Sequence, residues 1–195
     1  MSERKLWLDR ALSLVTALVF VVAAYLLISE RLLPALRGEP ALVGEGERLD
    51  DAIEFHPLAE DRLANVLTER ISIPSDRPTL LLVFASTCPA CYANLEAWST
   101  AIDAADGVAT VLAVGFERDR KAAREYALRH LPRAMPVAPR DPRWFAGRLG
   151  VSIVPFTALV NADGTVGFVR QGRLDAASVA SLRGALGALV SSSTP

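Results

Sequence analysis

Two cysteines, Cys88 and Cys91, are the residues whose type and spacing could do chemistry, and the 195-residue chain has no others. The apolar run 79–85 before them predicts a buried strand, and the segment 92–103 after them predicts a helix. A helix N-terminus presents free N–H groups and the positive end of the macrodipole, and both favour a thiolate. Residues three apart lie on one helix face, so the second sulfur can reach the first. The pair therefore predicts thiol–disulfide exchange.

Two other interpretations of the cysteine pair are weaker. A structural zinc site needs four ligands, and only His56 and His130 remain to supply nitrogen. A static disulfide across so short a loop would remove little chain entropy, so stabilisation is a poor reason for it. The sequence therefore favours redox chemistry and predicts no metal site and no cofactor.

The elements around the pair are marked by periodicity and by end signals. Cys91, Leu95, Trp98 and Ile102 are spaced as one apolar face of a helix. Further strands are predicted at 108–116 and 135–137, helices at 118–131, 142–149 and after 175, and a hairpin of strands at 156–161 and 165–170. This order predicts an α/β fold with a mixed central sheet and helices on both faces.

The chain divides into five parts. These are a predicted transmembrane anchor (1–30), a Gly- and Pro-containing linker (31–47), an N-terminal extension (48–78), the main domain (79–190) and a polar tail (191–195). The extension is the hardest part to interpret. Within it, 58–69 predicts a helix, 71–73 a short strand and 74–78 a turn.

An uncharged, apolar run covers residues 11–28. As a helix it would be about 27 Å long at ~1.5 Å per residue, close to the ~30 Å hydrocarbon core of a membrane. Arg4, Lys5 and Arg10 precede the run, and basic residues are sparser after it. This bias favours a cytoplasmic N-terminus and a domain outside the cytoplasmic membrane.

Two other interpretations of the run are less favoured. A cleaved signal peptide would have a shorter apolar core and a small-x-small cleavage site, but the chain continues with Ser29, Glu30 and Arg31. A buried soluble helix would show a polar face. The net charge of −1 gives no electrostatic case for nucleic acid. We therefore expect the membrane as a partner and no nucleic acid.

Two segments resemble a known family. Residues 84–91 read Phe-Ala-Ser-Thr-Cys-Pro-Ala-Cys, and residues 154–164 read Val-Pro-Phe-Thr-Ala-Leu-Val-Asn-Ala-Asp-Gly. With the order of elements from 79 to 190, they resemble the thioredoxin fold and, within it, the TlpA-like membrane-anchored thioredoxins of bacterial envelopes. The first segment also resembles the thioredoxin-like protein that assists methylamine dehydrogenase maturation.

The resemblance implies a thiol–disulfide oxidoreductase, anchored in the bacterial inner membrane with its domain on the periplasmic or extracytoplasmic side. Cys88, at the predicted helix N-terminus, would be the attacking thiolate and Cys91 the buried resolving thiol. Pro155 matches the cis-proline of the family, which packs beside the two sulfurs.

The implied partners are disulfides or dithiols of other proteins. Val154 would pair through its backbone with an extended substrate peptide, and we expect Thr87, Pro89 and Ala90 to contact the substrate as well. The resemblance favours a reductant in the maturation of cytochrome c or another metalloenzyme, recharged by a membrane thiol transporter. The alternatives are a dithiol oxidase, or a binding or chaperone protein in which the dithiol is regulatory.

Three positions depart from the family pattern. The residue before the first cysteine is Thr87 instead of tryptophan. Leu82 replaces a buried aspartate, and Asn94 replaces a glutamate three positions after the second cysteine. Those carboxylates are thought to move the proton of the second cysteine, so the sequence shows no matched general base. Glu96 is close, but it lies off the helix face of Cys91.

Overall fold

The computed structural model describes residues 15–16, 18–22, 42–58 and 71–192. The chain splits into two compact units, 1–39 and 40–195. In the first unit the described residues are helical, and most of the predicted membrane span lies outside the described residues. Among the residues that the structure describes, no helix is both long enough and apolar enough to cross a membrane.

One mixed sheet forms the centre of the second unit. Across 42–58 and 71–192 it has seven strands in the order β2-β1-β5-β4-β3-β6-β7. The strands are β1 (Ile53–Pro57), β2 (Ile71–Ile73), β3 (Thr79–Phe84), β4 (Thr110–Gly115), β5 (Met135–Pro139), β6 (Phe156–Val160) and β7 (Val166–Gln171). Strands β3, β4 and β5 are parallel, while β1 and β6 run antiparallel to their neighbours.

The central strand β3 is buried along its whole length. Alternate residues point to opposite faces of a strand, and both faces here carry a core. Leu80 and Leu82 join one cluster, whereas Leu81 and Val83 join the other. This explains why β3 is a continuous apolar run, as is typical of a strand covered on both faces.

Helices cover both faces of the sheet. They are α1 (Pro89–Tyr92), α2 (Leu95–Ala105), α3 (Arg120–His130), α4 (Pro142–Leu149) and α5 (Ala176–Ser192). Helices α2, α3 and α5 pack in one core cluster, and α4 packs in the other. The predicted α/β fold with a mixed sheet is therefore confirmed.

The helix after the cysteines differs from the prediction in one respect. It begins at Pro89 and is interrupted at Ala93 and Asn94 before α2. The buried side chain of Asn94 does not cap α2; its Oδ1 accepts a hydrogen bond from Leu174 N at 2.8 Å. The break thus serves a contact to the segment before α5, which the helical spacing alone could not indicate.

The strongest end signals of the sequence are confirmed. Asp141 caps α4 through hydrogen bonds from Arg143 N and Trp144 N, and Gly150 ends α4 in the left-handed conformation at φ 70°. Asp175 Oδ1 accepts a hydrogen bond from Ser178 N in the first turn of α5.

The N-terminal extension is part of the sheet. The short strand at 71–73 is confirmed as β2, but β1 was not predicted, and it joins β2 to β5. The helix predicted at 58–69 lies outside the described residues apart from Leu58. Val43, which the sequence places in the linker, is buried in the core cluster of α4.

Candidate active site

The cysteine pair lies where β3 leads into α1, in a segment that we call the motif turn (Ala85–Cys91); Cys88 precedes α1 and Cys91 lies in it. Cys88 is the N-cap of α1, and its sulfur accepts a hydrogen bond from Cys91 N at 3.2 Å. Cys88 N in turn donates to Ala85 O at 3.1 Å. Pro89 fits the first helical position, and Cys91 N is one of the N–H groups of the first turn that have no partner within the helix and are free to be capped.

The two sulfurs have different environments. Cys88 is partly exposed, whereas Cys91 is fully buried. Burial above all, and then the hydrogen bond with Cys88 and the charges of Cys88 and Glu117, together raise the pKa of the Cys91 thiol from 9.0 to about 12. Cys91 is therefore held as a neutral thiol beneath the partly exposed sulfur, both cysteines being in the reduced state.

A carboxylate that sequence reasoning missed lies beside the motif turn. Glu117 Oε1 accepts from Ser86 N at 2.7 Å, and Oε2 accepts from Ser86 Oγ at 2.8 Å. Glu117 follows β4, which runs parallel to β3 with Gly115 opposite Phe84, so both strands end at the same edge. An acidic residue just after the next parallel strand is the sequence signal that could have identified it.

Glu117 also has access to solvent. It is partly buried and lines a surface cleft of about 280 Å³ together with Phe116, Arg118, Arg120 and Pro142. Since its charge raises the pKa of the Cys91 thiol, the carboxylate is electrostatically linked to the buried sulfur.

Aromatic rings pack in the core cluster that contains the buried Cys91. Tyr126 stacks on Phe84 with ring centroids 4.6 Å apart and contacts the rings of Tyr92 and His130. Burial and the charge of Cys91 raise the pKa of the Tyr126 hydroxyl. This ring cluster keeps water away from the Cys91 thiol.

A second segment meets the motif turn at the start of the neighbouring strand β6, and we call it the proline segment (Ser152–Pro155). The Val154–Pro155 peptide bond is cis, as expected from the resemblance. The Cys88 thiol faces Val154 O at 3.7 Å. Pro155 is buried and Val154 is partly buried. The fold therefore brings together Cys88, Cys91, Val154 and Pro155 from distant parts of the chain.

Strand β7 holds the proline segment. Gln171 Oε1 accepts hydrogen bonds from Ser152 Oγ at 2.8 Å, Ser152 N at 3.2 Å and Ile153 N at 3.3 Å. Gly172 N donates to Pro155 O at 2.8 Å. A separate buried hydrogen bond, from Trp98 Nε1 to Thr157 Oγ1 at 2.9 Å, links α2 to β6.

The remaining predicted site residues surround Cys88. Thr87 and Pro89 are exposed and Ala90 is partly exposed, so all three are accessible to a partner. Leu82 is buried opposite Thr157 in the sheet, with no carboxylate at its position. Within the described residues, no group of three or more metal-binding side chains is present.

No family model matches the chain. Among solved structures it is similar to the thio-disulfide isomerase of Thermus thermophilus, at 24% identity and a TM-score of 0.53, covering 78% of this chain and 99% of that one. StoA from Bacillus subtilis matches at 16% identity and a TM-score of 0.52, covering 71% and 98%.

A third similar structure is the thioredoxin domain of a thiol-disulfide oxidoreductase from Bacteroides vulgatus. It matches at 14% identity and a TM-score of 0.56, covering 76% of this chain and 99% of that domain. These likenesses show that the chain has the thioredoxin fold, as the resemblance of its two segments implied.

Proposed function

We propose that this protein is a thiol–disulfide oxidoreductase that works through Cys88 and Cys91. One observation carries the proposal: a partly exposed sulfur caps a helix above a buried thiol, and a cis-proline segment faces that sulfur. An exposed nucleophile with an internal second thiol is the arrangement that disulfide exchange requires.

In the first step, the Cys88 thiolate attacks one sulfur of a partner disulfide. A bond forms between Cys88 and that sulfur, the partner S–S bond breaks, and the other partner sulfur leaves as a thiolate. Cys91 N lies 3.2 Å from Cys88 Sγ, so its N–H can donate a hydrogen bond to the negatively charged sulfur.

In the second step, Cys91 must lose its proton before it can attack Cys88. With a thiol pKa of about 12, very little thiolate exists at neutral pH, so a proton acceptor speeds this step. Glu117 is the carboxylate whose charge acts on Cys91, and we assign it this role. The new Cys88–Cys91 bond releases the second partner sulfur, so the partner gains the two electrons that the protein dithiol loses.

The experiment is to trap partners with Cys91→Ser and with Cys88→Ser in the full-length chain. Cys91→Ser should accumulate mixed disulfides on non-reducing gels, because its Cys88 attacks and nothing resolves the product. Cys88→Ser should trap far less and should abolish insulin reduction. If only Cys88→Ser captures partners, the roles are reversed. If neither variant captures a partner and the wild-type chain reduces no insulin, the fold serves as a binding platform instead.

A finer part of the proposal is that the domain lies outside the cytoplasmic membrane. The uncharged run 11–28 and the basic residues before it support an anchor with a cytoplasmic N-terminus. An oxidising compartment is also where disulfides persist for such a protein to act on. Cysteine accessibility to a membrane-impermeant reagent in intact cells tests this placement.

We further propose that the protein reduces its partners, for example during maturation of cytochrome c or another metalloenzyme, with a membrane thiol transporter as electron donor. The family resemblance of the two segments supports this direction. A reduction potential of about −270 mV suits a reductant, and one of about −120 mV indicates a dithiol oxidase.

A further inference from the structure

The side chain that stands out beside the reacting sulfur is Ile153. It is 57% exposed although it is large and apolar, and its neighbour Val154 faces Cys88 through its carbonyl. A scattered exposed isoleucine needs no explanation, but one placed next to a nucleophile contacts whatever reaches that nucleophile.

The two chain segments that meet at Cys88 contain no charged side chain. Residues 86–90 of the motif turn and 151–155 around the proline segment contain no Asp, Glu, Lys, Arg or His. Within them Thr87, Pro89 and Ile153 are exposed. The charge that binds the motif turn is the negative Glu117 carboxylate on Ser86. An acidic side chain of a partner would therefore lose water here without gaining an opposite charge, whereas an apolar one would gain by burial.

Ile153 is held in this position from β7. The Oε1 atom of Gln171 accepts hydrogen bonds from Ser152 N, Ser152 Oγ and Ile153 N. Gln171 lies opposite Phe156 in the β6–β7 ladder, and the next residue, Gly172, binds Pro155 O. Both ends of the proline segment are thus fixed to the end of β7, which positions the backbone from which the Ile153 side chain projects.

We propose that Ile153 is a specificity-determining residue that selects partner disulfides with an apolar side chain next to the reacting cysteine, and that Gln171 is the positioning residue that presents it. The inference rests on the proposed function and adds the class of partner to it. The exchange reaction itself is unchanged, because neither side chain gives or takes electrons or protons.

The test uses two synthetic disulfide-linked peptides that differ only in the residue after the cysteine, Leu in one and Asp in the other. The reduced full-length protein is mixed with each, and the rate constant of thiol–disulfide exchange is measured. We expect the wild-type protein to favour the Leu peptide by roughly tenfold, as burial of about half an isoleucine side chain gives. Ile153→Ser should lower this ratio to about twofold or less.

Gln171→Met and Gln171→Glu test whether Gln171 positions Ile153 or only stabilises the fold. Methionine cannot accept the three hydrogen bonds, so KM for the Leu peptide should rise several-fold while kcat changes little. Glutamate keeps an acceptor oxygen at that place and should restore the KM for the Leu peptide. Thermal unfolding is measured in parallel, since the exposed bonds can be replaced by water and Tm should change little.

Leu128→Ser is the matched control, because Leu128 is a large apolar residue of α3 that is 47% exposed. It should leave the peptide ratio unchanged. A ratio that Ile153→Ser does not alter would overturn the inference while leaving the proposed function intact. A wild-type protein that exchanges with neither peptide would instead overturn the proposed function.

Discussion

The two segments that meet at the Cys88 sulfur are held in different ways. The motif turn is shaped largely by its own backbone and sulfur, through bonds such as Cys88 N to Ala85 O and Cys91 N to Cys88 Sγ. The proline segment is held by Gln171 and Gly172, residues 16 to 20 positions further along the chain. The motif turn therefore takes much of its shape from its local sequence, with Glu117 as a long-range support, whereas the proline segment needs the hairpin beside it.

This difference separates reactivity from recognition. The motif turn contains both sulfurs and sets their burial, so changes there should alter the chemistry. The proline segment supplies a carbonyl and an apolar side chain, so changes there should alter which partners react. Glu117 and Trp98 connect the motif side to the rest of the sheet.

The largest effect is expected at the long-range contact between Glu117 and Ser86 of the motif turn. Glu117→Gln keeps hydrogen bonding to Ser86 but removes the charge and the proton acceptor. We expect insulin reduction to slow by roughly tenfold to a hundredfold at neutral pH, as is typical when a general base is lost. The pKa of the Cys91 thiol, measured by thiolate absorbance, should fall below about 12.

Glu96→Gln is the control for that prediction, because Glu96 is an exposed acidic residue in the first turn of α2. It should leave the rate and the pKa of Cys91 unchanged. An unaltered pH–rate profile in Glu117→Gln would show that the carboxylate only shapes the motif turn.

The next largest effect is expected where α2 is tied to β6. Thr157→Val preserves shape but leaves the buried Trp98 N–H without its acceptor. The free energy of unfolding, measured in urea, should fall by about 1–3 kcal/mol. Thr157→Ser retains the hydroxyl and should lose much less. Equal losses in both variants would mean that packing, and not the hydrogen bond, stabilises the contact between α2 and β6.

The buried sulfur should make the stability of the reduced protein depend on alkaline pH. The folded pKa of Cys91 is about 12 against an ordinary 9.0, so the unfolded chain loses its proton first as the pH rises. The contribution of Cys91 to the free energy of unfolding is therefore fully present below about pH 9. It is lost between about pH 9 and 12, by at most about 1.4 kcal/mol per pH unit. Urea unfolding of wild type and Cys91→Ala at pH 8, 9 and 10 isolates this contribution, because only the wild-type protein should lose it as the pH rises.

The smallest effect is expected outside both segments. Asp141→Ala removes the cap of α4 and should cost about 1 kcal/mol of unfolding free energy, with insulin reduction unchanged. Asp141→Asn keeps an acceptor and should restore most of it. A loss of activity in Asp141→Ala would show that α4 supports the site, contrary to the separation drawn above.

Prediction from sequence worked best where the signal is local. The apolar run of β3 and the Asp-Pro start of α4 each depend on neighbouring residues, and both elements formed as expected. β1 was missed because its short segment at 53–57 becomes a strand only by pairing with β2 and β5. Asn94 looked like a missing carboxylate, but its contact with Leu174 across 80 positions gives it a structural role.

By itself the sequence determined the cysteine pair and its placement after a buried strand, because both depend on residue type and on spacing between neighbouring residues. The family resemblance, and not spacing, implied that Pro155 lies beside the pair. Only the tertiary structure decided which carboxylate binds the motif turn and which side chain presents Ile153. Glu117 and Ser86 are 31 positions apart, and Gln171 and Ile153 are 18 apart. Such contacts depend on the register of neighbouring strands, and the periodicity of a single element does not determine that register.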